Sequence, residues 1–266
     1  MFWARALQSL NHINKIKKPT LALIIGSAPD ALVAQNYDLS AFSHRVAINN
    51  SWQITPDWDY LVYPEDLLPA RLPPSPLKDH QELIDAAKFV PEQNKLGGFV
   101  YAGGTMAFTA AYWTLGALRP DLIAFLGCDM IYTATNGESN HFYGHGTSDP
   151  LRADITLQSL EAKSLRFLAM ANSLNCAVVN LSKLPQSRLV FPRAELEEMS
   201  KPEVCKVLLD RQKNKLNMSR IESALSAEKD LGYMVPSGRY WEHLEGLDES
   251  KLRQIDDLWL QTLQPT

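Results

Sequence analysis

Two histidines and a tyrosine fall within five residues, in the run His141-Phe142-Tyr143-Gly144-His145. A histidine titrates near neutral pH and can take a proton from a sugar hydroxyl. The cluster therefore points to acid–base chemistry or substrate contact, with structural hydrogen bonding as the rival. Metal binding fits less well. Two histidines four apart could hold zinc on a helix, but Gly144 and Gly146 oppose a helix and the glutamate of HExxH is missing.

Four other stretches carry residue types suited to a ligand. Gly26-Ser27-Ala28-Pro29-Asp30 follows an apolar run, where a glycine lets a ligand approach backbone N–H groups. It is neither a Walker A loop nor GxGxxG, and an ordinary turn competes with the binding reading. Asn49-Asn50-Ser51 supplies amides that read base edges and ribose hydroxyls, or else caps a turn. Ala102-Gly103-Gly104-Thr105 opens a helix whose first N–H groups can meet an anion, against pure close packing. Asp129, followed by Tyr132, ends a buried run and can bind ribose hydroxyls or a metal. Asp57-Trp58-Asp59 is formally a DxD, yet Asp59 opens a strand instead of following one. Arg152 could bind an acidic group or simply start a helix. No GxSxG elbow occurs, and Cys128 reads as a small buried filler. Trp52, Trp58 and Trp113 read as core or pocket wall.

Elements that could position these groups follow from hydrophobic patterning. Continuous apolar runs predict strands at 20–26, 45–49, 59–63, 121–127 and 176–181, and a short one at 99–102. Helices are expected at 81–89, 104–117 and 153–174, the last with an apolar stripe of Leu157, Leu160, Leu168 and Ala171. Residues 64–80, rich in proline, read as a loop. Strands alternating with helices predict an α/β, Rossmann-like fold: a mainly parallel sheet covered on both faces, with a C-terminal helical appendage. Ser200-Lys201-Pro202-Glu203 reads as a capping box, and 248–263 as a final helix. The expected organisation is a basic arm or helix at 1–19, a nucleotide-binding catalytic domain at 20–192 and the appendage at 193–266.

Composition narrows the function. The 266 residues are 45% hydrophobic, enough for a core, and the net charge is −4. With no basic excess to neutralise phosphates, a nucleic-acid partner is not expected. Three widely spaced cysteines without CxxC oppose a disulfide framework or zinc site and suit a reducing cytoplasm. Arg5, Lys15, Lys17 and Lys18 with Phe2, Trp3, Leu7 and Leu10 make a basic amphipathic N-terminus. It permits peripheral contact with the inner membrane, and no run approaches a membrane span.

Between residues 20 and 185 the order of these motifs resembles the bacterial family 42 sialyltransferases and the wider group that includes 6-hydroxymethylpterin diphosphokinase-like proteins. Gly26–Asp30 resembles the family's GNGPS turn, Asn49 or Asn50 its next strand's asparagine, and Ala102–Met106 its TSGxxM. Leu115–Tyr132 resembles the family's LGxxxIxLxGxDxY strand, and His141–His145 its HYIGH. The resemblance implies metal-independent transfer of a sugar from a nucleotide donor, a CMP-sugar, to a glycan acceptor, with no tightly bound cofactor. It implies His145 as the base and His141 as its companion. Tyr132, with Tyr143 as a substitute, would steady the departing phosphate. Gly26, Ser27, Asn49, Asn50, Ser51, Gly103, Gly104, Thr105 and Asp129 would line the donor site. The wider group implies an alternative: diphosphate transfer from ATP with magnesium, using Asp129, Asp57 or Asp66. A non-catalytic nucleotide- or glycan-binding protein is the third reading. Gly232–Gly246 reads as a loop with aromatics, Tyr233, Tyr240 and Trp241, and leaves room for a tail that covers the sheet, caps the site or makes a homo-oligomer contact.

Overall fold

A computed structural model describes residues 18–131, 141–143 and 154–264. The N-terminal arm, Tyr132, His145 and Arg152 lie outside the described residues.

The fold is α/β and Rossmann-like. Six parallel strands form one sheet: β1 (Leu21–Ile25), β2 (His44–Ile48), β3 (Tyr60–Val62), β4 (Glu82–Ile84), β5 (Leu122–Leu126) and β6 (Ala177–Asn180). Their spatial order is β4-β3-β2-β1-β5-β6. The chain runs outward from β1 to β4, then crosses back to lay β5 on the other side of β1. The order therefore reverses between β1 and β5, and the crevice outside their carboxyl ends is where such sheets bind ligands.

Every residue of β1 and β5 is buried, which explains their continuous apolar sequences. Alternate side chains serve two cores. Ala22, Ile24, Ile123 and Phe125 face one, with Tyr112 and Phe167. Leu23, Ile25, Ala124 and Leu126 face the other, with Ala31 and Leu208. Register agrees with that division: Leu23 pairs with Ala124 and Ile24 with Phe125.

On the first face lie α1 (Ala86–Lys95), α2 (Phe99–Ala102), α3 (Met106–Trp113) and α4 (Leu160–Ser173). The opposite face is covered by a 3-10 segment, Pro29–Asn36, and by α5 (Val204–Lys215). Gln212 of α5 reaches the outermost strand, accepting from Val178 N at 2.9 Å and donating to Cys176 O at 3.1 Å. Such bonds occupy backbone groups that an edge strand would otherwise leave open.

The last helices, α6 (Met218–Leu231) and α7 (Glu249–Leu260), extend the first core through Ile221, Leu252 and Trp259. They meet α4 through charged groups. Arg166 Nε and Nη2 donate to Glu228 at 2.8 and 2.9 Å, and Lys163 Nζ lies 2.6 Å from Asp256. All four side chains are buried. Trp259 Nε1 also donates to Glu228, at 2.7 Å.

Four expectations are corrected. Residues 99–102 form a helical turn, not a strand; Gly98 and Gly103 bracket them with φ of 78° and 86°, conformations that close the turn at both ends. The helix expected at 81–89 is instead β4 followed by α1, because Glu82–Ile84 pairs with β3 before Asp85. The helix expected over 153–174 begins at Leu160, where Ser159 Oγ accepts from Ala162 N at 3.1 Å. The Ser200–Glu203 capping box does not form. Ser200 Oγ donates back to Glu197 O, and the reciprocal pair is Glu195 with Glu198.

Candidate ligand site at the sheet's reversal point

A cavity of about 1250 Å³ opens at the carboxyl ends of the strands. Its inner wall is made by the residues that end β1, β2 and β5 and by the start of α3. At β1, Gly26 N donates to Leu126 O at 2.8 Å, and Ala28 N donates to Gly127 O at 3.1 Å. The two strand-end turns are thus stitched together. A side chain on Gly26 would come within 2.6 Å of Cys128 Sγ and 2.8 Å of the Gly127 carbonyl carbon, so only glycine fits.

Asn49 follows β2 in the left-handed region, at φ 52°, which asparagine tolerates better than most residues. Asn49 and Asn50 both line the cavity. Asn49 Oδ1 is buried with no hydrogen-bond partner among the described residues, leaving an acceptor for a ligand. Ser51 does something else. Its hydroxyl donates to Ile25 O at 2.6 Å and accepts from Ile48 N at 2.7 Å, pinning β2 to β1 beneath the cavity.

At α3, Gly104 and Thr105 line the cavity while Gly103 packs behind, against Lys163 and Leu157. Thr105 caps the helix, its Oγ1 accepting from Phe108 N at 3.2 Å. Gly104 N donates to Thr156 Oγ1 at 3.0 Å. Thr156 is held in turn by Asp154, whose other oxygen accepts from the Tyr240 hydroxyl. Sequence reasoning missed Asp154 and Tyr240, since nothing local marks them as neighbours of Gly104.

Asp129 is 1% exposed and lines the cavity. Asn180 Nδ2 donates to Asp129 Oδ1 at 3.0 Å, while Asp129 Oδ2 has no partner among the described residues. Asp30 sits nearby, its carboxyl raised above the ordinary range by burial; the Ser182 hydroxyl pulls it down and the Asp129 charge pushes it up. Burial, then the charges of Asp129 and Asp30, pushes the Cys128 thiol well up, so it stays protonated as a filler.

His141 contacts Ser27 directly: Nδ1 lies 2.7 Å from Ser27 Oγ. Its ring stacks on Tyr143 at 4.9 Å and 5°. Partial burial lowers its pKa, so the imidazole is neutral at neutral pH and able to accept a proton. His141 and Tyr143 both line the cavity. The formal DxD does not. Asp59 is bound by Arg45 at 2.9 Å where β3 begins, away from the carboxyl ends, and Asp57 lies 3.7 Å from Lys78.

The cavity therefore gathers Gly26, Ser27, Asn49, Asn50, Gly104, Thr105, Asp129, His141 and Tyr143, and leaves Ser51 and Gly103 as supports. Comparison with protein-family models, curated proteins and solved structures yields no match.

Proposed function

We propose that the chain is a glycosyltransferase of the family 42 type, which takes a sugar from a CMP-sugar donor and delivers it to a hydroxyl of a glycan acceptor. One observation carries the reading: three strand-end turns, a helix N-terminus and the His141–Tyr143 stack converge on one cavity at the sheet's reversal point. The first N–H groups of α3, at Met106 and Ala107 on the cavity wall, suit a phosphate. The open acceptors on Asn49 and Asp129 suit base amino groups and ribose hydroxyls.

In the transfer, the acceptor oxygen attacks the anomeric carbon. The bond from that carbon to the phosphate oxygen breaks, and CMP leaves with the electron pair. A histidine receives the acceptor's proton. The resemblance assigns this step to His145; His141, whose Nδ1 lies 2.7 Å from Ser27 Oγ, lines the same cavity. Tyr132 and Tyr143 would donate to the leaving phosphate, whose growing charge is the main electrostatic demand.

A thermal-shift panel of CMP, CDP, UDP, GDP and ATP, each with and without magnesium, tests this. A ligand at 100 times its Kd stabilises the native state by about 2.7 kcal/mol. Stabilisation by CMP or CDP without metal is expected. Stabilisation by ATP only with magnesium would replace the reading with diphosphate transfer, for which Asp66 and Asp129 also line the cavity. Silence from every nucleotide would overturn it.

A further inference from the structure

The outer part of the same cavity has a different chemistry from its inner wall. Two loops distant in sequence form its rim: residues 64–71 after β3, and residues 237–244 after α6. An ion pair joins them, Arg239 Nη2 to Glu65 Oε2 at 2.9 Å. The second loop is also anchored by Asn94 Nδ2 donating to Pro236 O at 2.7 Å and by the Tyr240 hydroxyl on Asp154.

Each loop presents large apolar side chains to water. Leu68 is 61% exposed, Trp241 55% and Leu244 47%, and all three line the cavity. Further in, Phe89 and Phe99 meet edge to face at 6.1 Å and continue the apolar lining. Scattered exposed apolar groups need no explanation, but several converging on one concave rim mark a surface built to be covered.

We propose that this outer lobe binds an apolar arm of the substrate, an alkyl or aromatic group attached to the acceptor's sugar. The lobe is concave and continuous with the polar inner wall, which suits a single amphiphilic molecule spanning both. A lipid surface fits less well, since the apolar groups line a hollow and the rim carries no basic excess, its acids Glu65 and Asp66 being matched by Arg71 and Arg239. That the arm belongs to an acceptor rests on the glycosyl-transfer reading. That the lobe takes an apolar group does not.

The test is a homologous series of methyl, n-hexyl and n-octyl β-D-glucopyranosides below their micelle concentrations. Binding to the whole chain is measured by calorimetry with and without CMP. Each fully buried methylene is worth up to about fourfold in affinity, and a half-open lobe captures part of that. An octyl compound binding about tenfold or more tighter than the methyl one is expected. Leu68→Asp and Trp241→Ala, both at exposed positions, should flatten the series, and Trp241→Phe should restore most of it. A flat series in the unaltered chain would overturn the proposal, as would a steep series that neither variant changes. Binding to phosphatidylglycerol vesicles that both variants abolish, with a flat soluble series, would assign the rim to a membrane instead. If CMP fails to bind while the series is steep, the glycosyl-transfer reading falls and the lobe stands.

Discussion

Glu228→Ala would leave the Arg166 guanidinium buried without its carboxylate. Arg166 keeps bonds to the Tyr112 hydroxyl at 2.6 Å and to Leu96 O at 2.9 Å, but loses both bonds to Glu228. Trp259 Nε1 loses its acceptor in the same step. Breaking a buried pair by removing one partner costs about 3–5 kcal/mol. With Trp259 orphaned as well, the upper end is expected. For a chain of this size each kcal/mol moves Tm by about 2–4 °C, so a fall of about 8–20 °C should follow. Glu228→Gln keeps an acceptor for Trp259 and loses only the charge, so its loss should be roughly half. Urea denaturation of the three proteins, read by far-ultraviolet circular dichroism, gives the free energies. The reasoning fails if Glu228→Ala loses less than about 1 kcal/mol, because Arg166 would then have found water or another partner. It also fails if the glutamine variant is the weaker of the two.

Two further outcomes follow from the β1 turn, one behind the cavity wall and one in it. Asp30→Asn should stabilise the chain at pH 7 by about 1 kcal/mol, a buried-charge cost reduced for partial exposure. The native Asp30 carboxyl binds its proton more tightly than the ordinary value of 3.8 allows, so stability is lost as pH rises from there through the raised native pKa. The variant's advantage should therefore shrink as pH falls towards 4; a gain constant from pH 4 to 8 by thermal melts would contradict this. Gly26→Ala drives a methyl group into the Gly127 backbone, which cannot yield as a side-chain tip can, and should cost about 1–3 kcal/mol. CMP-induced stabilisation should fall with it, and unchanged melting with unchanged nucleotide response would refute the crowding.

What the amino-acid order revealed depends on how local each signal is. The strands β1 and β5 declare themselves because both faces are covered, so every residue is apolar. The glycine turns are visible because close backbone approach admits no other residue. Phe99–Ala102 misleads because four buried apolar residues suit a short strand or one helical turn equally well. Strand β4 hides because it is three residues long and opens with Glu82. In α4, nothing local marks Lys163 and Arg166 as buried, because the carboxylates that neutralise them arrive from α6 and α7. For the same reason a tail that caps the site could only be one of three alternatives for residues 232–246, and the partner loop at 64–71 gave no sign of it. Its residues gain meaning only when residues 237–244 fold back across the strand ends.

That return path has a consequence for how the molecule is made. Arg166 and Lys163 must wait for partners 62 and 93 residues further along the chain. At ribosomal speeds of about 5–20 residues per second, the wait is about 3–12 s for Arg166 and about 5–19 s for Lys163. Throughout it the sheet can exist, but two cations beside its core have no counter-charge and the hollow lacks its outer rim. The ligand pocket is thus among the last features to be completed. A chain cut short before Glu228 would keep its sheet sequence intact and still lack residues 237–244 of the rim and both carboxylates that neutralise Arg166 and Lys163.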